Sequence, residues 1–93
     1  MLLMVIERFE KEAIDEVGAR FREKGRMMPA DVSYVASWLD PGGTVCYQLM
    51  EAPTPESLKP WFAKWDDLMK FEVVPVLSSA DFWAQRTKKG AGV

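Results

Sequence analysis

Apolar positions along this chain change their period several times, and each change marks an element. Leu2 to Phe9 is apolar at nearly every position and has the length of a strand. Beyond it Ile14, Val17 and Phe21 recur at helical spacing, with Glu10, Glu12, Asp15 and Glu16 toward one end and Arg20, Arg22 and Lys24 toward the other. That charge order matches the helix dipole, so a first helix is predicted over Glu10 to Lys24 with Gly25 as its stop. Met27 to Asp31 reads as a connector around Pro29, and Val32 to Leu39 as a second strand. Asp40-Pro41-Gly42-Gly43 places Pro where a turn wants a fixed φ and Gly where positive φ is easy, so Thr44 to Glu51 should return antiparallel as the third strand.

Pro53-Thr54-Pro55 ends that strand and opens a second helix, whose stripe of Leu58, Trp61, Phe62, Trp65, Leu68 and Met69 fits the i, i+3, i+4, i+7 template. Pro60 is compatible with the stripe if the helix kinks or starts late, because a proline in the first turn removes no bonded donor. Phe71 to Leu77 is a fourth strand, and Pro75 within it belongs on a sheet edge or at a bulge. Ser79 to Gln85 reads as one helical turn anchored by Phe82 and Trp83, followed by a mobile tail from Arg86 to Val93. The expected layout is a domain over residues 1–80 and a C-terminal turn and tail over 81–93.

The order β-α-β-β-α-β is that of a ferredoxin-like α+β sandwich, a four-stranded antiparallel sheet with two helices on one face. Strand parity then separates Leu3, Val5 and Phe9 from Leu2, Met4 and Ile6, and Cys46 and Met50 from Val45, Tyr47 and Leu49. Phe71, Val73 and Leu77 are likewise separated from Val74 and Val76. Both sheet faces are apolar, whichever meets the helices, and a bare apolar face points to sheet-on-sheet packing in a homodimer.

The segments Met4 to Phe9, Glu23 to Pro29, Ser37-Trp38, Tyr47 to Glu51, Trp61 with Trp65, and Phe71 to Val76 resemble a small prokaryotic family known as a domain of unknown function, over residues 1–80. That family is similar in turn to the dimeric α/β barrel (ABM-like) superfamily. The wider superfamily holds cofactor-independent monooxygenases, haem-degrading enzymes, lactone isomerases and members without known activity, usually with a cleft between sheet and helices. The resemblance implies a fold, a dimer and a cleft. Its haem-degrading members rely on a histidine ligand that this chain lacks.

Composition narrows the chemistry. A chain that is 48% hydrophobic and 28% charged, with four Trp, five Phe and two Tyr, is globular rather than disordered. Net charge of −2 without a basic stripe argues against nucleic acid as a partner. The apolar run Leu2 to Ile6 is broken by Glu7 and Arg8, far short of a membrane span, and no basic leader precedes it, so no membrane partner and a cytoplasmic location are expected. One cysteine and no histidine remove internal disulfides, the common zinc sets, the Ser-His-Asp triad and Cys-His pairs, and neither a metal nor a cofactor is expected.

What remains is a set of aromatic and polar residues with two readings each. Trp61 and Trp65, one helical turn apart, are either core or the wall of an aromatic-lined cleft, and Trp38 and Tyr47 face the same choice. Glu7, Gln48 and Glu51 interrupt apolar strands, where a buried charge must pair, reach water or line a pocket. With no histidine, Glu7 or Glu51 is the candidate general base, its pKa raised by burial, and Arg26 the candidate anion contact. Cys46 reads as a small buried apolar residue, and Asp66 and Asp67 as a solvated face. Two functions follow from the sequence. One is a dimer that binds a small apolar or aromatic molecule, with cofactor-independent oxygenase or isomerase chemistry open to it; the other is a non-catalytic interaction or scaffold module.

Overall fold

Alternation decides the first strand. In β1 (Leu2–Phe9) the residues Leu3, Val5 and Glu7 are buried while Leu2, Met4 and Ile6 between them are only partly covered, the signature of a strand with one face against a core. The computed structural model describes residues 1–88. After β1 come α1 (Ile14–Lys24), β2 (Ser33–Leu39), β3 (Val45–Glu51), a 3-10 turn over Pro55–Leu58, α2 (Lys59–Phe62), β4 (Met69–Val76) and α3 (Ser79–Lys88). The strands form one antiparallel sheet in the order β2-β3-β1-β4. This is an α+β fold consistent with the ferredoxin-like arrangement, and β4 lies at an edge, where Pro75 interrupts no inner ladder.

The β2–β3 turn is held by one carboxylate. Asp40 accepts the Thr44 N–H at 2.7 Å, the Thr44 hydroxyl at 2.8 Å and the Val45 N–H at 2.7 Å, and these bonds, led by that from Val45, hold its pKa below the usual carboxylate value. Gly43 sits at φ +68°, the region that glycine enters without steric penalty.

Three elements differ from the sequence reading. The first helix begins at Ile14 rather than Glu10, because the Glu10 N–H is taken by the Leu68 carbonyl at 2.8 Å and Glu12 turns through φ +61°. The second helix is a 3-10 turn and a single α-turn instead of a continuous helix to Met69. Pro60 occupies the opening of α2, where it removes no bonded donor, and beyond Phe62 the Lys64, Trp65 and Leu68 N–H groups bond three residues back in successive turns. The stripe still buries Leu58, Trp61, Trp65 and Leu68, since turns of three residues also return side chains to one side, while Met69 starts β4. The third helix runs ten residues in place of one turn, opened by Ser78, whose Oγ accepts the Asp81 N–H at 3.0 Å. Of the expected mobile tail, residues up to Lys88 belong to that helix and 89–93 lie outside the described residues.

The core is asymmetric. Leu3, Val5, Met50, Leu58 and Trp61 are the largest fully buried side chains, all between the sheet and the segment 55–68. Phe62 stacks on Phe71 with ring centroids 4.0 Å apart. By contrast α1 buries no residue, although its apolar stripe faces the sheet. Core and roof should therefore respond differently to truncation. Leu58→Ala is expected to lose about 2–5 kcal/mol in urea unfolding, and Val17→Ala on α1 about 1 kcal/mol or less, because alanine leaves no new cavity there and favours the helix.

Candidate functional site

The space that α1 fails to fill is a cavity of about 290 Å³ between α1 and the sheet. Ile14, Val17, Gly18 and Phe21 of α1 roof it, Trp61, Trp65 and Met69 wall one side, and Glu7, Cys46 and Gln48 lie in its floor. The roof is fastened at its flank rather than its underside. Arg20 forks onto Asp67 with bonds of 2.8 and 2.7 Å and donates a third to the Lys64 carbonyl at 2.9 Å. Asp67 is thus an ion-pair partner and not merely part of a solvated face, and that bond from Arg20 holds its pKa low.

Register assembles the floor. Glu7 of β1 lies directly opposite Cys46 of β3, and Gln48 is two residues further along on the same face. The Gln48 amide donates from Nε2 to Glu7 Oε2 at 3.0 Å, and its Oε1 accepts the Arg26 Nε–H at 2.7 Å. Glu7 is 6% exposed and Gln48 4%, yet no buried side-chain nitrogen or oxygen among the described residues lacks a partner. Burial raises the Glu7 pKa from an ordinary 4.5 to about 7, against smaller lowering effects from the Cys46 thiol, the Arg26 charge and the Gln48 amide. Burial and the Glu7 charge push Cys46 up to about 12, so the thiol keeps its proton and acts as a donor to Glu7 rather than as a nucleophile.

Arg26 joins floor to wall. It sits between Gly25 at φ +68° and Met27 at φ +60°, two left-handed residues that turn its backbone carbonyl toward the tryptophans. That carbonyl accepts both indole N–H groups, from Trp61 at 2.9 Å and Trp65 at 3.0 Å. With their polar ends engaged, the tryptophans offer the cavity only ring surface. The Arg26 guanidinium packs 3.7 Å from the Tyr34 ring centroid and 5.0 Å from that of Phe21.

Of the residues singled out from the sequence, Glu7, Arg26, Gln48, Trp61 and Trp65 meet at this cavity. Trp38, Tyr47 and Glu51 do not. Trp38 and Tyr47 pair across β2 and β3 on the other face of the sheet, 55% and 42% exposed, and Glu51 is exposed at the end of β3 with Leu2 and Ser33 as its strand partners. Glu7 and Glu51 therefore share no site. Cys46, Phe21 and Ser37, not among the candidate site residues, also line the cavity, and Cys46 is buried as expected of a small apolar residue. For Cys46 the signal would have been the β1–β3 register, which pairs segments about 40 residues apart and leaves no local trace. Among the described residues no group of three or more His, Cys, Asp or Glu side chains could hold a metal ion, and no helix is long and apolar enough to cross a membrane.

A family model described as a domain of unknown function (DUF3303) matches residues 1–90. No curated protein and no solved structure matches the chain.

Glu7 makes stability depend on pH in a defined window. The folded protein holds a proton that the unfolded chain releases, so the contribution of Glu7 is fully present below about pH 4.5 and is lost as pH rises through about 7. Glu7→Gln removes that decline. Urea unfolding at pH 8 should find it more stable than the wild type by up to about 3 kcal/mol, with the difference vanishing near pH 4.

Proposed function

The chain belongs to the DUF3303 family, and from its site we propose that it binds a small apolar or aromatic molecule in the cavity beneath α1 and does so as a homodimer. The observation that carries this reading is an amphipathic helix with no buried residue standing over a cavity of about 290 Å³. A helix whose apolar stripe meets the core only in part, through Val17, leaves surface that a ligand would cover. The floor supports acid–base work without histidine, because a carboxyl with a pKa of about 7 can give or take a proton near neutrality. Proton abstraction from a bound substrate, as a cofactor-independent oxygenase or isomerase requires, is the chemistry this group suits; Glu7 would be the base.

The homodimer is supported by the face of the sheet turned away from the helices. Met4, Ile6, Trp38, Tyr47, Leu49 and Val74 lie there, and no element of the described chain packs over Trp38, Tyr47 or Val74 enough to bury them. A second copy placing the same face against it would cover both at once, the self-complementary arrangement of a two-fold dimer. It is also the assembly of the dimeric α/β barrel proteins that the sequence resembles. A cytoplasmic location accords with this reading.

The second reading, a non-catalytic interaction module, draws on one observation: Trp61 and Trp65 are buried, and their N–H groups are spent inside the protein. The two readings separate on ligand binding. Isothermal titration with 1-naphthylmethanol, a neutral bicyclic probe, should show saturable binding that Val17→Trp, which fills the roof, weakens at least about tenfold; absence of binding to the wild type by both this probe and its carboxylate analogue 1-naphthoate favours the interaction module. Sedimentation should give a dimer for the wild type and a monomer for Trp38→Asp/Tyr47→Asp, whose two charges would face each other across the interface. A wild-type monomer at all concentrations would overturn the assembly.

A further inference from the structure

Arg26 is more than a brace. Its guanidinium carries five donors, and the floor uses one of them, Nε–H to Gln48. Aromatic rings from Tyr34 and Phe21 pack on the group, and Nη1 and Nη2 have no protein acceptor among the described residues. The ion pairs of those residues are Arg8 with Glu72 and Arg20 with Asp67, so no carboxylate stands within ion-pair distance of Arg26. The nearest acidic group in the floor, Glu7, is reached only through Gln48. A cation held in the wall of a largely apolar cavity, fixed in orientation through Nε and left with a pair of adjacent donors, is the arrangement that takes a carboxylate in a two-bond fork.

We propose that the molecule bound beneath α1 is an amphipathic monocarboxylate, its carboxylate forked on Nη1 and Nη2 of Arg26 and its apolar body running over Cys46 and Met69 against Trp61 and Val17. This rests on the reading of the cavity as a ligand site and adds the charge of the ligand. The remaining walls fit it. Phe9, Ile14, Leu39 and Met69 offer no polar group to the far end of a ligand, so one polar head at Arg26 and one apolar body match the lining. Glu7, which holds its proton in the lower part of the neutral range, neither repels the incoming carboxylate nor neutralises Arg26. The volume of about 290 Å³ suits a body of one or two rings.

A matched pair of probes, 1-naphthoate and 1-naphthylmethanol, titrated at pH 6 into the full chain and into Arg26→Gln, tests this. The wild type should bind the carboxylate about tenfold or more tightly than the alcohol, the effect of a charge-assisted fork. Arg26→Gln should abolish that preference, so that the variant binds the carboxylate and the alcohol within about threefold of each other. Arg26→Lys, which keeps the charge without the fork, should retain only part of the preference and serves if Arg26→Gln does not fold. Alcohol binding as tightly as the carboxylate, or a preference that survives Arg26→Gln, overturns the proposal while the cavity stands as a site. If neither probe binds, the cavity reading falls and this inference with it.

Discussion

One residue ties the layers together. The Arg26 carbonyl receives two indole N–H bonds, one from Trp61 in α2 and one from Trp65 in the turn that follows, and its side chain reaches Gln48 in the sheet. The loop after α1, the tryptophan wall and the floor of the cavity are thereby positioned by a single peptide unit and its side chain. Each indole would be costly to bury unbonded, and a buried amide such as Gln48 needs both a donor and an acceptor nearby. Left-handed residues on either side of Arg26 are what make the placement possible, with a non-glycine residue, Met27, accepting backbone strain of about 1–2 kcal/mol.

From this node the electrostatics of the site follow. Arg26 holds Gln48, Gln48 holds Glu7, and Cys46 contributes a thiol that burial and its acidic neighbour keep protonated. A carboxyl so placed is solvated by only a few fixed partners, which is why desolvation outweighs them and carries its pKa to about 7. The floor consequently combines a cation with spare donors and an acid balanced near neutrality, in a setting otherwise apolar. Such a combination is unfavourable for stability above neutral pH, and strained or destabilised groups of this kind gather where a protein handles ligands.

The two faces of the sheet solve different problems. On the helix side, the segment 55–68 adds Leu58 and Trp61 to a fully buried core shared with Leu3 and Val5 of β1 and Met50 of β3, and stacks Phe62 on Phe71 of β4, whereas α1 buries no residue and leaves the cavity. A ferredoxin-like frame can tolerate this because the remaining half holds the sheet, and the Arg20–Asp67 fork anchors α1 to the turn after α2 without closing the space beneath it. On the other side Trp38 and Tyr47 lie paired and exposed. Aromatic surface of that kind is unusual on a small protein unless something covers it.

Much of this architecture was legible locally. Strand and helix periods, the Asp40 turn, the edge placement of Pro75 and the order of elements are all written in neighbouring residues, because they depend on backbone preference and on which side chains fall on one face. The amphipathic stripe from Leu58 to Leu68 is buried at Leu58, Trp61, Trp65 and Leu68 without a continuous helix, since three-residue and four-residue turns return side chains to the same side. Glu7, Gln48 and Arg26 stood out because polar groups in apolar surroundings need partners. Which partners they have, and that Trp38, Tyr47 and Glu51 belong to the opposite face, was decided only by the register of β1 on β3 and by the left-handed loop around Arg26. Those are pairings between segments tens of residues apart, and no local period records them.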